Sequence, residues 1–271
     1  MTDMTPGVAS ALSPLVRRVV APNPSMMTGP GTNTYLVGID EVAVIDPGPD
    51  EKPHIDAIIG AAMEERVRWV ILTHTHPDHA PGAERIRKIT GAEILAFSKK
   101  NEYFEVDGTL ADGDTVEGTE WGLDVLHTPG HADDHLCFFL EEERVLFTGD
   151  HIMQGTTVIV SDMAAYMESL ERLKKLRRVP RICPGHGDVI EEVGEVIDEY
   201  IAHRKMREQQ VLKALGGGPL KITEIVDKIY AGAVPEELME VAAHQVHAHL
   251  VKLKKEGKAS GKAFDSKWKA A

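Results

Sequence analysis

The chain has 271 residues, of which 42% are apolar, so it can bury a sizeable core and is not a disordered protein. Its two cysteines are too few for a disulfide framework, and no apolar run approaches the roughly 18 residues that a membrane span needs. The first segment, Met1–Ser25, lacks the basic start of a secretory signal, so we expect a cytoplasmic protein.

The net charge of −13 is unevenly spread along the chain. Residues 1–200 contain 17 Lys and Arg against 35 Asp and Glu, whereas residues 201–271 contain 13 against 8. The two parts therefore carry −18 and +5. Such an asymmetry suggests two parts with different roles, but it does not identify a partner.

The first two thirds of the chain alternate short β-rich runs with helical patterns, which is typical of α/β layering. Met1–Ser25 contains four prolines and is predicted to be an irregular arm. Strands are predicted at Thr34–Val37, Ala43–Ile45, Trp69–Leu72, Ile94–Phe97, Leu123–Leu126, Leu136–Leu140 and Val145–Thr148. Helices are predicted at Ile55–Glu65, Ala83–Thr90 and Met163–Leu176, the last with Asp162 as its N-cap.

The last third is predicted to be mostly helical. A long helix over Val193–Leu215 ends at a Gly-Gly-Gly-Pro stretch, and helices over Thr223–Tyr230 and Glu236–Glu256 follow. The tail Lys258–Trp268 is predicted to form a β-hairpin around Ser260-Gly261. Three helices and a hairpin in this order resemble a winged helix-turn-helix.

A predicted strand delivers the densest group of candidate metal ligands. Trp69–Leu72 is followed by four of them within six residues: His74, His76, Asp78 and His79. Because side chains alternate along an extended chain, the first two histidines face the same side and can share one ion. The turn at Pro77 lets the other two residues face a second ion. Neutral imidazoles and a carboxylate are ligands that suit Zn²⁺.

Three other apolar strands end in the same way, with a ligand-type side chain after a glycine turn. These ends are Thr128-Pro129-Gly130-His131, Thr148-Gly149-Asp150 and Cys183-Pro184-Gly185-His186. One Gly-Asp or Gly-His pair is often only a turn, but four such strand ends in one chain indicate a site.

This series of motifs resembles the ordered motifs of the metallo-β-lactamase superfamily. The resemblance implies an αββα sandwich over residues 1–204 and a small, mostly α, winged-helix-like domain over residues 205–271. It also implies two divalent metal ions per chain, with zinc as the expected metal. The first ion would take His74, His76 and His131, the second would take Asp78, His79 and His186, and Asp150 would bridge both. Asp46 would be a structural acid that supports the ligand loop.

A narrower resemblance extends from about Pro22 to Gly257. The segments Gly31–Val37 and His127–His135 and the helical C-terminus are similar to the lactamase-beta-two-like subfamily, whose members end in a winged-helix-like domain. His127, His135 and His151 lie beside ligand positions, and we expect them to form hydrogen bonds to the ligands and not to bind metal.

The implied reaction is the hydrolysis of an ester-like bond by a metal-bridging hydroxide, with Asp78 and Asp150 as the catalytic residues. Both carboxylates would bind metal and accept hydrogen bonds from the attacking water. The fold does not choose between carboxyl and phosphoryl esters.

Several substrate classes, and one non-enzymatic function, remain open. The subfamily suggests an RNA or single-stranded nucleic acid phosphodiester, which the lysine-rich tail could hold by its phosphates. Relatives of the glyoxalase-II type suggest a thioester or lactone, and a β-lactam is a third candidate. A metal-dependent winged-helix regulator is the non-enzymatic alternative, although a complete ligand set argues against it. We expect a small-molecule or single-stranded nucleic acid substrate, no membrane partner, and a C-terminal domain that covers the substrate or joins a homodimer.

Overall fold

The computed structural model describes residues 4–100, 103–155, 157–176 and 178–271, which fall into two compact units. The sheet unit comprises Met1–Thr128, Asp134–Val158 and Leu176–Val193. The helical unit comprises Pro129–Asp133, Ile159–Lys175 and Gly194–Ala271. The predicted domain boundary between residues 204 and 205 lies within one helix, Val193–Leu215, and stays a prediction.

Two sheets form the sheet unit within the described residues. The first has the strand order β1 to β7, with the strands β1 (Ala9–Ala11), β2 (Val16–Val20), β3 (Asn33–Val37), β4 (Glu41–Ile45), β5 (Arg66–Ile71), β6 (Glu93–Ala96) and β7 (Gly108–Thr109). The second has the order β12-β11-β10-β9-β8, with the strands β8 (Thr115–Glu117), β9 (Gly122–His127), β10 (Leu136–Leu140), β11 (Val145–Gly149) and β12 (Arg181–Pro184).

Two parallel pairs bring the important strand ends to common edges. The helix α1 (Lys52–Ala61) connects β4 to β5, which pair in parallel with Ile45 opposite Ile71. The strands β11 and β12 are also parallel, with Phe147 opposite Cys183. Because parallel strands end at the same edge of a sheet, the segments that follow them emerge side by side.

The residues of β5 show how the core is divided. Trp69 and Ile71 point into a core that both sheets share, together with Phe138 and Phe147 of the second sheet. Val70 points to the opposite face, where α1 and α2 (Ala83–Thr90) cover the first sheet. Both faces of the strand are therefore buried, as its nearly continuous apolar sequence requires.

The N-terminal segment is not the irregular arm that its prolines predicted. β1 and β2 are hydrogen-bonded strands of the first sheet, and β2 pairs antiparallel with β3. Pro14 and Pro22 flank β2 and do not interrupt it. Val16, Val19 and Val20 are buried, so their packing outweighs the proline signal.

The helical unit contains α3 (Met163–Leu173), α4 (Val193–Leu215), α5 (Ile222–Tyr230) and α6 (Met239–Lys255). The predicted N-cap of α3 is confirmed, since the Asp162 carboxylate accepts hydrogen bonds from the amides of Ala164 and Ala165. The predicted hairpin is formed by β13 (Ala259–Ser260) and β14 (Lys269–Ala270), with a wider turn than expected. None of the helices in the described ranges is long and apolar enough to cross a membrane.

Three predicted helices begin at different residues in the structure. α1 begins at Lys52 and not at Ile55, because Pro53 suits the first turn of a helix, and it ends at Ala61 and not at Glu65. α5 begins at Ile222, one residue before the predicted Thr223. The helix predicted from Glu236 begins instead with a short 3₁₀ turn, Glu236–Leu238, that leads into α6.

We expect Trp268→Ala to destabilise the helical unit, because the indole fills the small core between α5, α6 and the hairpin. Trp268 is buried, and its backbone forms two hydrogen bonds with Leu220. Replacing a buried tryptophan by alanine costs about 3–5 kcal/mol of unfolding free energy. Urea unfolding followed by circular dichroism measures the loss, with the exposed Lys267→Ala as control. A loss no larger than that of the control would contradict this packing role.

Candidate metal centre

Six of the predicted ligands follow parallel strands of the sheet unit. β5 leads into the segment that contains His74, His76, Asp78 and His79, while β11 leads into Asp150. β12, the parallel partner of β11, leads into His186. The topology thus places ligand-type side chains from three strands at the edges where those strands end.

Two carboxylates, those of Asp78 and Asp150, each lie close to both His79 and His186. The Nε2 atoms of His79 and His186 lie 3.3 Å apart. The nearest carboxylate oxygen of Asp78 lies 3.5 Å from the first of these nitrogens and 3.2 Å from the second. For Asp150 the corresponding distances are 3.4 and 3.3 Å.

The distances among Asp78, His79 and His186 fit three ligands of one metal ion. With metal–ligand bonds of about 2.0–2.1 Å, the ligand atoms of a tetrahedral zinc ion lie about 3.3–3.4 Å from one another. Imidazole and carboxylate donors also suit Zn²⁺. The residues therefore fit the metal on their own geometry.

The electrostatics of this cluster depend on the mutual proximity of acids and histidines. Burial alone would raise the pKa of Asp150, but His79 and His186 beside it hold that pKa well below its usual range. Burial would lower the pKa of His186, yet the neighbouring Asp150 and Asp78 raise it to about 9. Without metal, the negative cluster therefore retains protons on its histidines near neutral pH.

Asp46 orients the ligand segment from a left-handed backbone conformation, with a φ of 51°. Its carboxylate accepts hydrogen bonds from the Thr73 amide at 2.8 Å, the Thr73 hydroxyl at 2.7 Å and the His79 Nδ1 at 2.8 Å. Because Nδ1 of His79 donates, the neutral ring, which is the form that binds metal, has its lone pair on Nε2, the atom that faces the cluster. Asp46 is therefore an orienting acid, as the resemblance implied.

His74 and His76 lie together in the same segment, with Nε2 of the first 3.0 Å from Nδ1 of the second. The Thr73 hydroxyl, which donates to Asp46, accepts from His74 Nδ1 at 2.9 Å. Between the two histidines, the amide and hydroxyl of Thr75 donate to the Asp134 carboxylate at 3.1 and 2.7 Å. Asp134 therefore fixes the middle of the segment, a role that the sequence did not predict.

His131 belongs to the helical unit and is buried there. Its Nδ1 donates to the Ile159 carbonyl at 2.7 Å, which places the lone pair on Nε2, as in His79. The Ser161 hydroxyl donates to the backbone carbonyl of His131 at 2.8 Å. Its predicted place among the ligands of the first ion stays a prediction.

The turn that carries His186 is held by a segment far away in sequence. His186 Nδ1 donates to the Gly31 carbonyl at 3.2 Å. The Asn33 side chain donates to the carbonyls of Pro184 and Gly187, both at 2.8 Å, and its amide donates to the Gly185 carbonyl. The Gly31–Val37 motif, which resembles that of a subfamily, thus has a physical role: two of its residues hold the turn that carries His186.

Glycine is required at Gly185 by the closeness of the ligands. A Cβ at this position would lie 2.6 Å from an Asp150 carboxylate oxygen and 2.9 Å from the His79 ring.

Cys183, two residues before Gly185, is not a nucleophile, because burial raises the pKa of its thiol to about 12.

Comparison with known proteins identifies the family. The family model described as "Metallo-beta-lactamase superfamily" matches residues 27–186, and that of the "Beta-lactamase associated winged helix domain" matches residues 222–268. A beta-lactamase-like protein 2 homolog of Caenorhabditis elegans is 34% identical, over 95% of this chain and 90% of its own. The chain belongs to the metallo-β-lactamase superfamily.

Further relatives of this superfamily agree in fold. A protein of Aspergillus chevalieri named atrochrysone carboxyl ACP thioesterase is 34% identical, over 85% of this chain and 78% of its own. The crystal structure of a beta-lactamase domain protein from Burkholderia ambifaria superposes with a TM-score of 0.85 at 20% identity, covering 98% of this chain and 94% of that one. The predicted α/β sandwich with a winged-helix domain is confirmed, and the chain is a hydrolase of the metallo-β-lactamase fold.

We expect Asp46→Asn to weaken metal binding although the side chain keeps its shape. Asparagine has one acceptor oxygen where aspartate has two, so it cannot accept hydrogen bonds from the Thr73 amide and from His79 Nδ1 at the same time. The His79 imidazole therefore loses the partner that fixes its tautomer. Loss of such a partner typically lowers metal affinity about 10- to 100-fold. Competition with a chromophoric chelator measures the change, and Asp40→Asn on the exposed surface is the matched control. Equal affinities of the two variants would argue against the orienting role.

Zinc binding to the metal-free protein should release protons at pH 7, because imidazole must be deprotonated to bind metal. The release should shrink as the pH passes about 9, the pKa of His186. This pKa lies above 6.5, the ordinary pKa of a histidine. The protonated His186 therefore stabilises the folded metal-free protein below pH 6.5, and this stabilisation is lost as the pH rises through about 9.

Calorimetry in buffers of different ionisation enthalpy measures the protons released. Thermal unfolding of the chelated protein at several pH values tests the linked change in stability. A binding enthalpy that is independent of the buffer at pH 7 would contradict the raised pKa.

Proposed function

We propose that this protein binds two divalent metal ions, with zinc as the physiological metal, and hydrolyses a thioester or related small-molecule ester. The observation that carries the proposal is the mutual spacing of 3.2–3.5 Å between the ligand atoms of Asp78, His79 and His186, with Asp150 beside both histidines. This is the spacing that three ligands of one tetrahedral zinc ion adopt.

In this proposal the second ion is held by Asp78, His79 and His186, and the first by His74, His76 and His131. Asp150 bridges the two. The close approach of His74 and His76 supports the first site, as does the Nδ1–H donation that orients His131 within its own unit.

The protein supplies binding and orientation around this centre. When bound, two such ions lower the pKa of a water molecule and stabilise negative charge that develops on the substrate oxygen. Asp150 is almost completely buried, so it serves as an ionised ligand and not as a proton shuttle. The Asp78 side chain is 26% exposed, so it is the carboxylate placed to accept a hydrogen bond from the attacking water.

A thioester is favoured as the substrate class by the relative named as an ACP thioesterase, whose alignment covers most of both chains. The charge distribution of the helical unit adds a second argument. Several lysines of the basic tail are paired with carboxylates of that unit: Lys252 with Glu208 and Glu256, Lys255 with Asp162, and Lys258 with Glu256. Lys252, whose side chain is 16% exposed and lies between two carboxylates, is therefore poorly placed to bind a phosphate backbone.

A single-stranded nucleic acid phosphodiester is the second candidate. It is favoured by the net charge of +5 in residues 201–271, which includes Lys262, Lys267 and Lys269 beyond the paired lysines. Binding of this kind weakens steeply as salt increases and depends little on sequence.

The protein as isolated should contain close to two equivalents of divalent metal, and Asp150→Ala should lose more activity than any single histidine variant. The physical reason is that a bridging ligand serves both ions. Elemental analysis and a panel of an acyl thioester, a lactone, a β-lactam and single-stranded RNA test this on one preparation. Less than half an equivalent of metal would overturn the dinuclear centre, whereas turnover of RNA alone would replace only the substrate class.

A further inference from the structure

A second buried network lies behind the metal centre in the sheet unit. It consists of Thr128, His135, Cys137 and Thr148, whose side chains are all fully buried. None of these residues is among the proposed metal ligands. The network is connected to the segment that delivers Asp150, and it gives that segment a fixed position.

The direction of each hydrogen bond in the network follows from one backbone amide. The amide of Asp150 lies 3.2 Å from His135 Nε2, and an amide can only donate. His135 Nε2 must therefore carry a lone pair, so that the proton of the neutral ring is on Nδ1. That Nδ1 lies 2.9 Å from the oxygen of the Thr128 hydroxyl and donates a hydrogen bond to it.

The remaining bonds continue in the same direction. The Thr128 hydroxyl donates to the sulfur of Cys137 at 3.2 Å, and the Cys137 thiol donates to the Thr148 carbonyl at 3.8 Å. In the direction of donation, the network thus begins at the amide of Asp150 and ends at the carbonyl of Thr148. These two groups flank Gly149, so the hydrogen bonds enclose the last turn of β11.

Close packing at Gly149 shows how little freedom this turn has. Its φ is 45°, and a Cβ would lie 2.6 Å from the Thr73 hydroxyl and 2.8 Å from His135 Nε2. The Gly149 carbonyl also accepts a hydrogen bond from the Gly185 amide, in the turn before His186. The imidazole of His135 therefore contacts the turn from one side while the network holds both of its ends.

We propose that His135 is a positioning residue that fixes Asp150 through its backbone amide, and that Thr128 keeps His135 in the Nδ1–H tautomer required for this. The inference rests on the proposed role of Asp150 as a metal ligand. His135 itself contacts neither the metal nor the substrate in this role. Its effect is to place the Asp150 carboxylate where the ligand atoms of His79 and His186 meet.

Three substitutions separate positioning from packing. His135→Gln reaches the place of Nε2 and keeps an acceptor for the Asp150 amide, whereas His135→Asn reaches only the place of Nδ1 and leaves that amide without an acceptor. His135→Phe keeps the ring volume and removes both polar atoms. We expect the Gln variant to retain a zinc affinity close to that of wild type, and the Asn and Phe variants to lose about 10- to 100-fold.

Chelator competition on the full chain measures these affinities, and thermal unfolding of the metal-free proteins checks that each variant is folded. His249→Gln, at an equally buried histidine of α6, is the control for placing an amide in a core. Retention of affinity by the Phe variant, or equal loss in all three variants, would overturn the positioning role.

The tautomer can be tested without substitution at His135. A long-range ¹⁵N–¹H spectrum of histidine-labelled wild type should show His135 with its proton on Nδ1, and a proton on Nε2 would overturn the inference. Thr128→Val should lower zinc affinity in the same direction, and Thr128→Ser should restore it, because serine keeps the hydroxyl. A different result would show that Asp150 is not a metal ligand: the wild-type protein would bind no metal, or the Asp150→Asn variant would bind metal with unchanged affinity.

Discussion

The carboxylate of Asp46 is the constraint on which the rest of the metal centre depends. It accepts hydrogen bonds from the Thr73 amide, from the Thr73 hydroxyl and from Nδ1 of His79. Through the Thr73 hydroxyl it also orients His74. One buried acid therefore determines the tautomer of a ligand proposed for each of the two ions. The left-handed backbone of Asp46 is unfavourable for a residue with a side chain, and these hydrogen bonds offset that cost.

The proposed histidine ligands share one arrangement despite their different positions in the chain. His79, His131 and His186 each donate Nδ1–H to a fixed oxygen: a carboxylate for the first, and the carbonyls of Ile159 and Gly31 for the others. Each ring is thereby oriented with its Nε2 lone pair on the opposite side. Most of these oxygens belong to the backbone, so the orientation of the ligands is encoded mainly in the fold.

The sequence indicates the candidate ligands through a local signal, a short motif that follows an apolar strand, and their assignment as ligands stays a prediction. His74 and His79 can be recognised from five neighbouring residues. The orienting residues could not be found in that way, since Asp134 acts on Thr75 from 59 positions away and Asn33 acts on Pro184 from 151 positions away. The strand β2 also cannot be recognised from its own neighbourhood. Prolines stand two positions before and after it, whereas the burial of Val16, Val19 and Val20, which outweighs them, depends on the rest of the sheet unit.

The contact between Asn33 and the turn of His186 has a consequence for how the protein acquires metal during synthesis. The two partners lie at opposite ends of the sheet unit in sequence, so the contact forms only after β12 has been made and has joined β11. Until then His79 and Asp78 have no counterpart from the second sheet. If the site binds metal as proposed, a chain without β12 would offer only part of the ligand set. Metal binding would then stabilise the chain in which β12 is paired with β11.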